Sequence, residues 1–202
     1  MITPIETRYA GCRFRSRLEA RWACFFDALG IRWEYEAQGY KVGPEQRPYL
    51  PDFWLPDFGS GVWVEVKGSP GELDTALLED AVGNEGIGRA DVFGDTKILI
   101  LGPVPEPGHG YTHVLVSAHT HPRCTAAHTS AATYTKVVVR ALPDRPPILV
   151  QWGRPQPTAT DIRDTGDLVT ARPAPVVPDL LVQAAYRTAR SARFEHGEAG
   201  AA

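Results

Sequence analysis

Tyr49-Leu-Pro-Asp-Phe-Trp-Leu-Pro-Asp-Phe-Gly-Ser-Gly-Val-Trp-Val-Glu-Val-Lys67 is the stretch on which the reading of this chain turns. Two runs rich in aromatic and β-branched residues, 50–55 and 62–67, flank Gly59-Ser60-Gly61, and that pattern predicts a β-hairpin. Strand side chains alternate, so Val62, Val64 and Val66 share one face while Trp63, Glu65 and Lys67 share the other. Pairing Leu55 with Val64 sets Asp52 opposite Lys67 and Trp54 opposite Glu65. Phe53, Leu55 and the three valines then form an apolar face, with Asp52, Glu65 and Lys67 converging on the reverse. A one-residue slip would press Asp52 among the valines, which is costly. Two carboxylates and an ammonium gathered this way outline a metal site.

Upstream of the hairpin, Leu18, Trp22, Phe25, Phe26 and Leu29 recur at helical spacing, and Gly30 follows as a stop, so a helix is predicted over 16–29. Glu19 lies about 100° round that helix from Leu18, at the margin of the buried stripe. Two roles are open to it. Ser16-x-x-Glu19 is a capping box, in which the carboxylate returns to the helix's own first turn. Taken together with the hairpin acids, the favoured role is a third carboxylate at the metal site.

Elsewhere the coarse order is helix, three strands, helix, strand, an α/β sandwich with a mixed sheet. Ile31, Trp33 and Tyr35 alternate in a first strand over 31–36, a helix is expected over 72–82, and Lys97-Ile-Leu-Ile-Leu101 reads as a buried strand. Strands at 113–117, 134–141 and 148–152 follow, so 103–154 is expected to be a strand-rich extension of a core spanning 1–102. Residues 155–178 read as a proline-bearing connector, and 179–202 as a basic helix capped by Asp179, with a tail.

The chain of 202 residues carries a net charge of −3, which argues against bulk attraction to nucleic acid. Its distribution says more. Residues 1–50 hold eight Lys/Arg against six Asp/Glu, 51–110 hold three against eleven, and 111–202 hold ten against seven. Acid concentrates where a divalent ion would offset it, and the arginine-bearing flanks suit a polyanion: Arg15 and Arg17 on one side, Arg187, Arg190 and Arg193 on the other. A solvated basic face is the plainer account of the last three. Three cysteines without motif spacing, no secretory leader pattern and no membrane-length apolar run predict a cytoplasmic protein. His109, His113, His119, His121, Cys124 and His128 lack a Cys-x-x-Cys pair, so surface or loop histidines are expected rather than a zinc site.

Magnesium takes hard oxygen ligands, usually one or two carboxylates with retained waters. Glu19, Asp52 and Glu65, with the Val66 backbone carbonyl, are the candidate ligands, and Mn2+ is expected to substitute for Mg2+. Lys67 would orient the attacking water or balance charge on the transition state of phosphodiester hydrolysis.

Pro51-Asp52 with Glu65-Val66-Lys67 resembles the PD-(D/E)XK nuclease superfamily, and Ser16-Arg-Leu-Glu19 resembles the helix acid of its transposon-type and Holliday-junction-type branches. The resemblance covers roughly residues 10–101. It implies an αβββαβ restriction-endonuclease-like core and a metal-dependent DNA endonuclease in which Glu19, Asp52, Glu65 and Lys67 act together. Two departures stand beside it. Pro56-Asp57 competes for the first-acid role, although the hairpin places Asp57 by the turn, and Gln183 and Tyr186 have the wrong spacing for a Gln-x-x-x-Tyr element. DNA is the expected partner, with a targeting protein and a homodimer as further expectations. The rivals are a catalytically idle DNA-binding or assembly subunit on the same fold, and a purely structural ion pair between the hairpin acids and Lys67.

Overall fold

Ser16 opens the first helix, and the reason is local. Its hydroxyl accepts a hydrogen bond from the Glu19 amide at 3.2 Å, satisfying one of the donors that a helix start leaves free. The structure, a computed structural model, describes residues 6–83, 85–87, 96–118, 132–153, 169–174 and 177–194. A short ribbon, β1 (Thr7–Tyr9) and β2 (Cys12–Phe14), precedes the helix α1 (Arg17–Ala28). Helix α1 ends as its sequence requires. Gly30 adopts φ +65°, its amide donates to the Asp27 carbonyl, and the Ile31 amide reaches back to the Phe26 carbonyl at 2.9 Å. Trp22, Phe25 and Phe26 are buried along one side of α1, each contributing about 1.5–3 kcal/mol.

Beyond α1 come β3 (Glu34–Tyr35), β4 (Tyr40–Val42), β5 (Arg47–Tyr49), β6 (Phe53–Leu55) and β7 (Val62–Val66). A 3-10 turn at Pro70–Glu72 leads into α2 (Thr75–Val82), capped by Asp74, and then β8 (Lys97–Leu101). The chain continues through β9 (Gly110–Ala118), β10 (Ala132–Leu142), β11 (Arg145–Gln151) and β12 (Arg172–Ala174) to α3 (Leu180–Ser191). One mixed sheet runs in the order β11-β10-β9-β8-β7-β6-β3, with β12 paired to β9. Strands β7 and β8 are parallel, as a crossover through α2 permits, and the other pairings are antiparallel. With the separate ribbon β4–β5 set aside, α1 to β8 reads helix, three strands, helix, strand.

The sheet is covered on both faces. Phe53, Leu55, Val62, Val64 and Val66 pack with α1 and with Val182, Ala185, Tyr186 and Ala189 of α3. Ile98, Ile100, Val114 and Val116 belong to the opposite layer, with α2, Val42 and Tyr49. Among the described residues no helix is long and apolar enough to cross a membrane.

Four expectations need correction. The hairpin pairs Leu55 with Val62, Trp54 with Trp63 and Phe53 with Val64, two residues from the predicted register. The cross-strand tryptophans, 4.5 Å between ring centroids, account for it. Gly61, at φ +98°, passes beneath the Trp54 ring where a Cβ would come within 1.9 Å of it. Because the slide is an even number, every side chain keeps its predicted face. The strand expected over 31–36 is only Glu34–Tyr35, and the stretch read as a connector contains β12. His113 is no loop residue but lies wholly buried in β9, bonded to the Tyr186 hydroxyl at 2.8 Å. His119, His121, Cys124 and His128 lie outside the described residues.

Candidate active site

The acids meet where β6 and β7 stop being an ordinary ladder. Phe53 and Val64 are the last pair of the ladder, and just beyond them the Asp52 amide donates to the Val64 carbonyl at 2.9 Å. The Asp52 carboxylate takes the place of a ladder partner, its Oδ2 accepting the Val66 amide at 2.7 Å. The Asp52 carbonyl meanwhile accepts the Glu36 amide at 2.9 Å, prolonging the β3–β6 pairing. Backbone geometry thus fixes one oxygen of Asp52 and leaves Oδ1, which accepts from Arg15 Nη2 at 2.9 Å.

Glu65 and Lys67 project from the end of β7 on the face predicted for them. Lys67 Nζ lies 2.6 Å from Glu65 Oε1, and the Tyr49 hydroxyl donates to Glu65 Oε2 at 2.9 Å. Glu19 closes the group from the first turn of α1. Its Oε1 accepts the Ser16 hydroxyl at 2.7 Å, and its Oε2 accepts the Tyr35 hydroxyl at 2.6 Å and the Arg15 amide at 3.0 Å. The capping role is therefore realised, one residue out from the Ser16 amide of the ideal box. Arg15 links the two halves of the cluster, its backbone on Glu19 and its guanidinium on Asp52. Glu19, Asp52 and Glu65 are all buried, at 7%, 3% and 7% exposure.

Burial of so much charge perturbs the groups. Removal from water, then the nearby Glu65 carboxylate, pushes Asp52 up to about 7, against the opposing pull of the Val66 amide and Lys67. Burial works against the Lys67 ammonium, but Glu65 and Asp52 more than offset it and raise its pKa. Lys67 therefore stays charged, fit to donate and stabilise rather than to act as a base. Burial followed by Glu19 holds the Tyr35 phenol well above its ordinary range, and burial followed by Glu65 does the same for Tyr49. Both tyrosines remain neutral donors.

Asp52 and Glu65 fit a hard divalent cation. They are carboxylates at one sheet end, and Asp52 is raised by burial first and by the Glu65 carboxylate second. Each of their four oxygens accepts a single bond from a protein donor, Lys67 and Arg15 included, and a carboxylate oxygen has a second lone pair. Glu19 fits less well in this arrangement, because Oε2 already takes two donors. Among the described residues no group of three or more His, Cys, Asp or Glu side chains is assembled to hold a metal ion. The structure thus brings Asp52, Glu65 and Lys67 together and sets Glu19 beside them as a cap.

Asp57 stands apart, bonded to Arg32 through its Nε at 2.9 Å and its amide at 3.0 Å, and takes no part in the cluster. Arg17, Arg187 and Arg193 are exposed, while Arg190 donates to the Val104 carbonyl at 2.9 Å and to Glu106 at 3.1 Å. The residues that sequence reading missed are Tyr35, Tyr49 and Glu36. Tyr35 had a strand pattern but nothing to say which acid it would meet. Glu36, at φ +46°, has no local signal at all. The chain matches no family model, no curated protein and no solved structure.

Proposed function

We propose that this protein is a metal-dependent DNA endonuclease of the PD-(D/E)XK type, its αβββαβ segment serving as a restriction-endonuclease-like core. One observation carries the reading: Asp52 and Glu65 are two buried carboxylates at the end of one strand pair, with the Lys67 ammonium 2.6 Å from Glu65 Oε1. Asp52 and Glu65 would hold magnesium or manganese, with the Val66 carbonyl as a further oxygen and Glu19 as the outermost acid. When bound, the ion supplies Lewis acidity toward a phosphoryl oxygen and a more acidic water.

The chain's own groups do the rest. The Val66 amide and the Tyr49 hydroxyl keep one oxygen of Asp52 and one of Glu65 in place, so the remaining oxygens are preorganised. Lys67, on Glu65, presents an ammonium where charge grows on the phosphate. Arg15, Arg17, Arg187 and Arg193 offer phosphate contacts that set strand position without reading sequence. A targeting partner and a homodimer extend the same reading, the latter suited to paired cuts in a duplex.

A second reading has its own observation. Every oxygen of Glu19, Asp52 and Glu65 already accepts from a protein donor, Arg15 and Lys67 among them. Such a cluster suits a catalytically idle DNA-binding subunit of the same fold. Incubation with plasmid, linear duplex, single-stranded and branched DNA, with magnesium, manganese or EDTA, separates the two. Cleavage that needs metal and is lost in Lys67→Ala supports the enzyme; binding without cleavage under every metal supports the idle subunit.

A further inference from the structure

Arg15 sits between β2 and α1 with its backbone pinned and its guanidinium held by acids from two other segments. Its amide donates to Glu19 Oε2 at 3.0 Å and to the Tyr35 hydroxyl oxygen at 3.1 Å. Its guanidinium spans two acids, Asp52 Oδ1 at 2.9 Å and Glu36 Oε1 at 2.7 Å, yet its side chain is 57% exposed. The Val66 amide already fixes Asp52 Oδ2, so Oδ1 is the oxygen through which Asp52 would meet a cation, and that is the oxygen Arg15 covers. Glu36 Oε1 is buried and accepts no hydrogen bond; the nearby guanidinium charge is its compensation. With all groups ionised, Glu19, Glu36, Asp52 and Glu65 stand against Arg15 and Lys67. The surplus of two negative charges equals the charge of one divalent ion.

We propose that Arg15 is an internal placeholder for that ion. In the free protein it occupies the open oxygen of Asp52; on cation binding it yields that oxygen and turns its guanidinium to a phosphate of the bound strand. The chemistry suits both positions, because the planar fork of arginine pairs equally with carboxylate and phosphate and never loses its charge. The pinned amide keeps the pivot fixed, and the side chain as a whole is 57% exposed. This inference rests on the metal-dependent reading above and adds a competitor to it, one that sets how tightly the cation is held.

The test is calorimetric titration of the full chain with magnesium chloride, without DNA, for wild type, Arg15→Ala, Arg15→Lys and Arg17→Ala. A placeholder predicts roughly tenfold tighter magnesium binding in Arg15→Ala. It also predicts clear tightening in Arg15→Lys, which keeps the charge but cannot bridge Asp52 and Glu36 with one planar fork. Arg17→Ala, which removes an exposed charge from the same helix start, should change affinity less than about twofold. Equal affinity in wild type, Arg15→Ala and Arg15→Lys overturns the placeholder and leaves the metal site standing. Tightening in Arg15→Ala with Arg15→Lys unchanged also overturns it, reducing the effect to charge at a distance. No magnesium binding by any of the four proteins overturns the metal-dependent reading itself, and the placeholder with it. Far-ultraviolet circular dichroism of each variant establishes that the comparison is made between folded chains.

Discussion

Two buried polar groups lie on the same sheet and could hardly differ more. At one end the carboxyl groups of Glu19, Asp52 and Glu65 crowd together with the Lys67 ammonium. In the core between β9, α1 and α3, His113 meets the Tyr186 hydroxyl at 2.8 Å, with the Trp22 ring edge-on at 5.5 Å between centroids. The second group is neutral throughout. Burial lowers His113 to about 4 and raises Tyr186 far above its ordinary range, so a hydrogen bond suffices to satisfy both. The first is held by the ion pairs of Asp52 with Arg15 and of Glu65 with Lys67. The histidine pair is satisfied by one neutral hydrogen bond, whereas the acids are satisfied by ion pairs and backbone donors.

The comparison can be broken most directly at Lys67. Lys67→Ala should lower metal-dependent cleavage by about 10²–10³-fold while thermal unfolding shifts by only a few degrees. A large loss of stability with unchanged cleavage would make the cluster as structural as the histidine.

Next in size is the pH dependence, where the two groups pull in opposite directions. Asp52 is raised from 3.8 to about 7 on folding, so its contribution is full below pH 4 and is lost as pH rises through 7. His113 is lowered from 6.5 to about 4, so its contribution is full above pH 6.5 and is lost as pH falls toward 4. Each full unit of displacement corresponds to about 1.4 kcal/mol. Urea unfolding between pH 4 and 7 should therefore show a shallow profile in the wild type and stability climbing with pH in Asp52→Asn. Magnesium should raise the unfolding temperature more at pH 8 than at pH 5, since the ion favours ionised Asp52.

Tyr186→Phe sharpens the other side. It leaves the buried His113 Nε2 without its hydroxyl partner and should cost about 1–3 kcal/mol, with magnesium affinity unchanged. The smallest effect belongs to the basic helix. Arg187→Ala, fully outside both clusters, should leave unfolding unaltered and weaken binding to duplex DNA about threefold at low salt, with a shallower salt dependence.

Helix α1 was legible almost residue by residue, because its cap, its apolar spacing and its glycine stop are all local. Strand β8 was equally plain as an apolar run between breakers. The hairpin faces were read correctly, but the register was off by two. Alternation cannot distinguish even slides, and the Trp54–Trp63 contact that selects one of them exists only once the strands are side by side. Glu19 offered two readings because capping and ligation use the same atoms. Which neighbours reach those atoms depends on Tyr35 and Arg15, brought in from other segments.

By itself, then, the amino-acid order determined which side chains share a face, where helices begin and end, and that acids and a lysine would gather at one strand end. Those are short-range consequences of a period of two or 3.6 residues and of local hydrogen bonding. Tertiary structure alone decided the bond of the Val66 amide to the Asp52 carboxylate, the tyrosines that hold Glu19 and Glu65, and the seat of Arg15 between Asp52 and Glu36. Each joins residues far apart in the chain, and burial, which sets their charge states, is a property of the packed molecule.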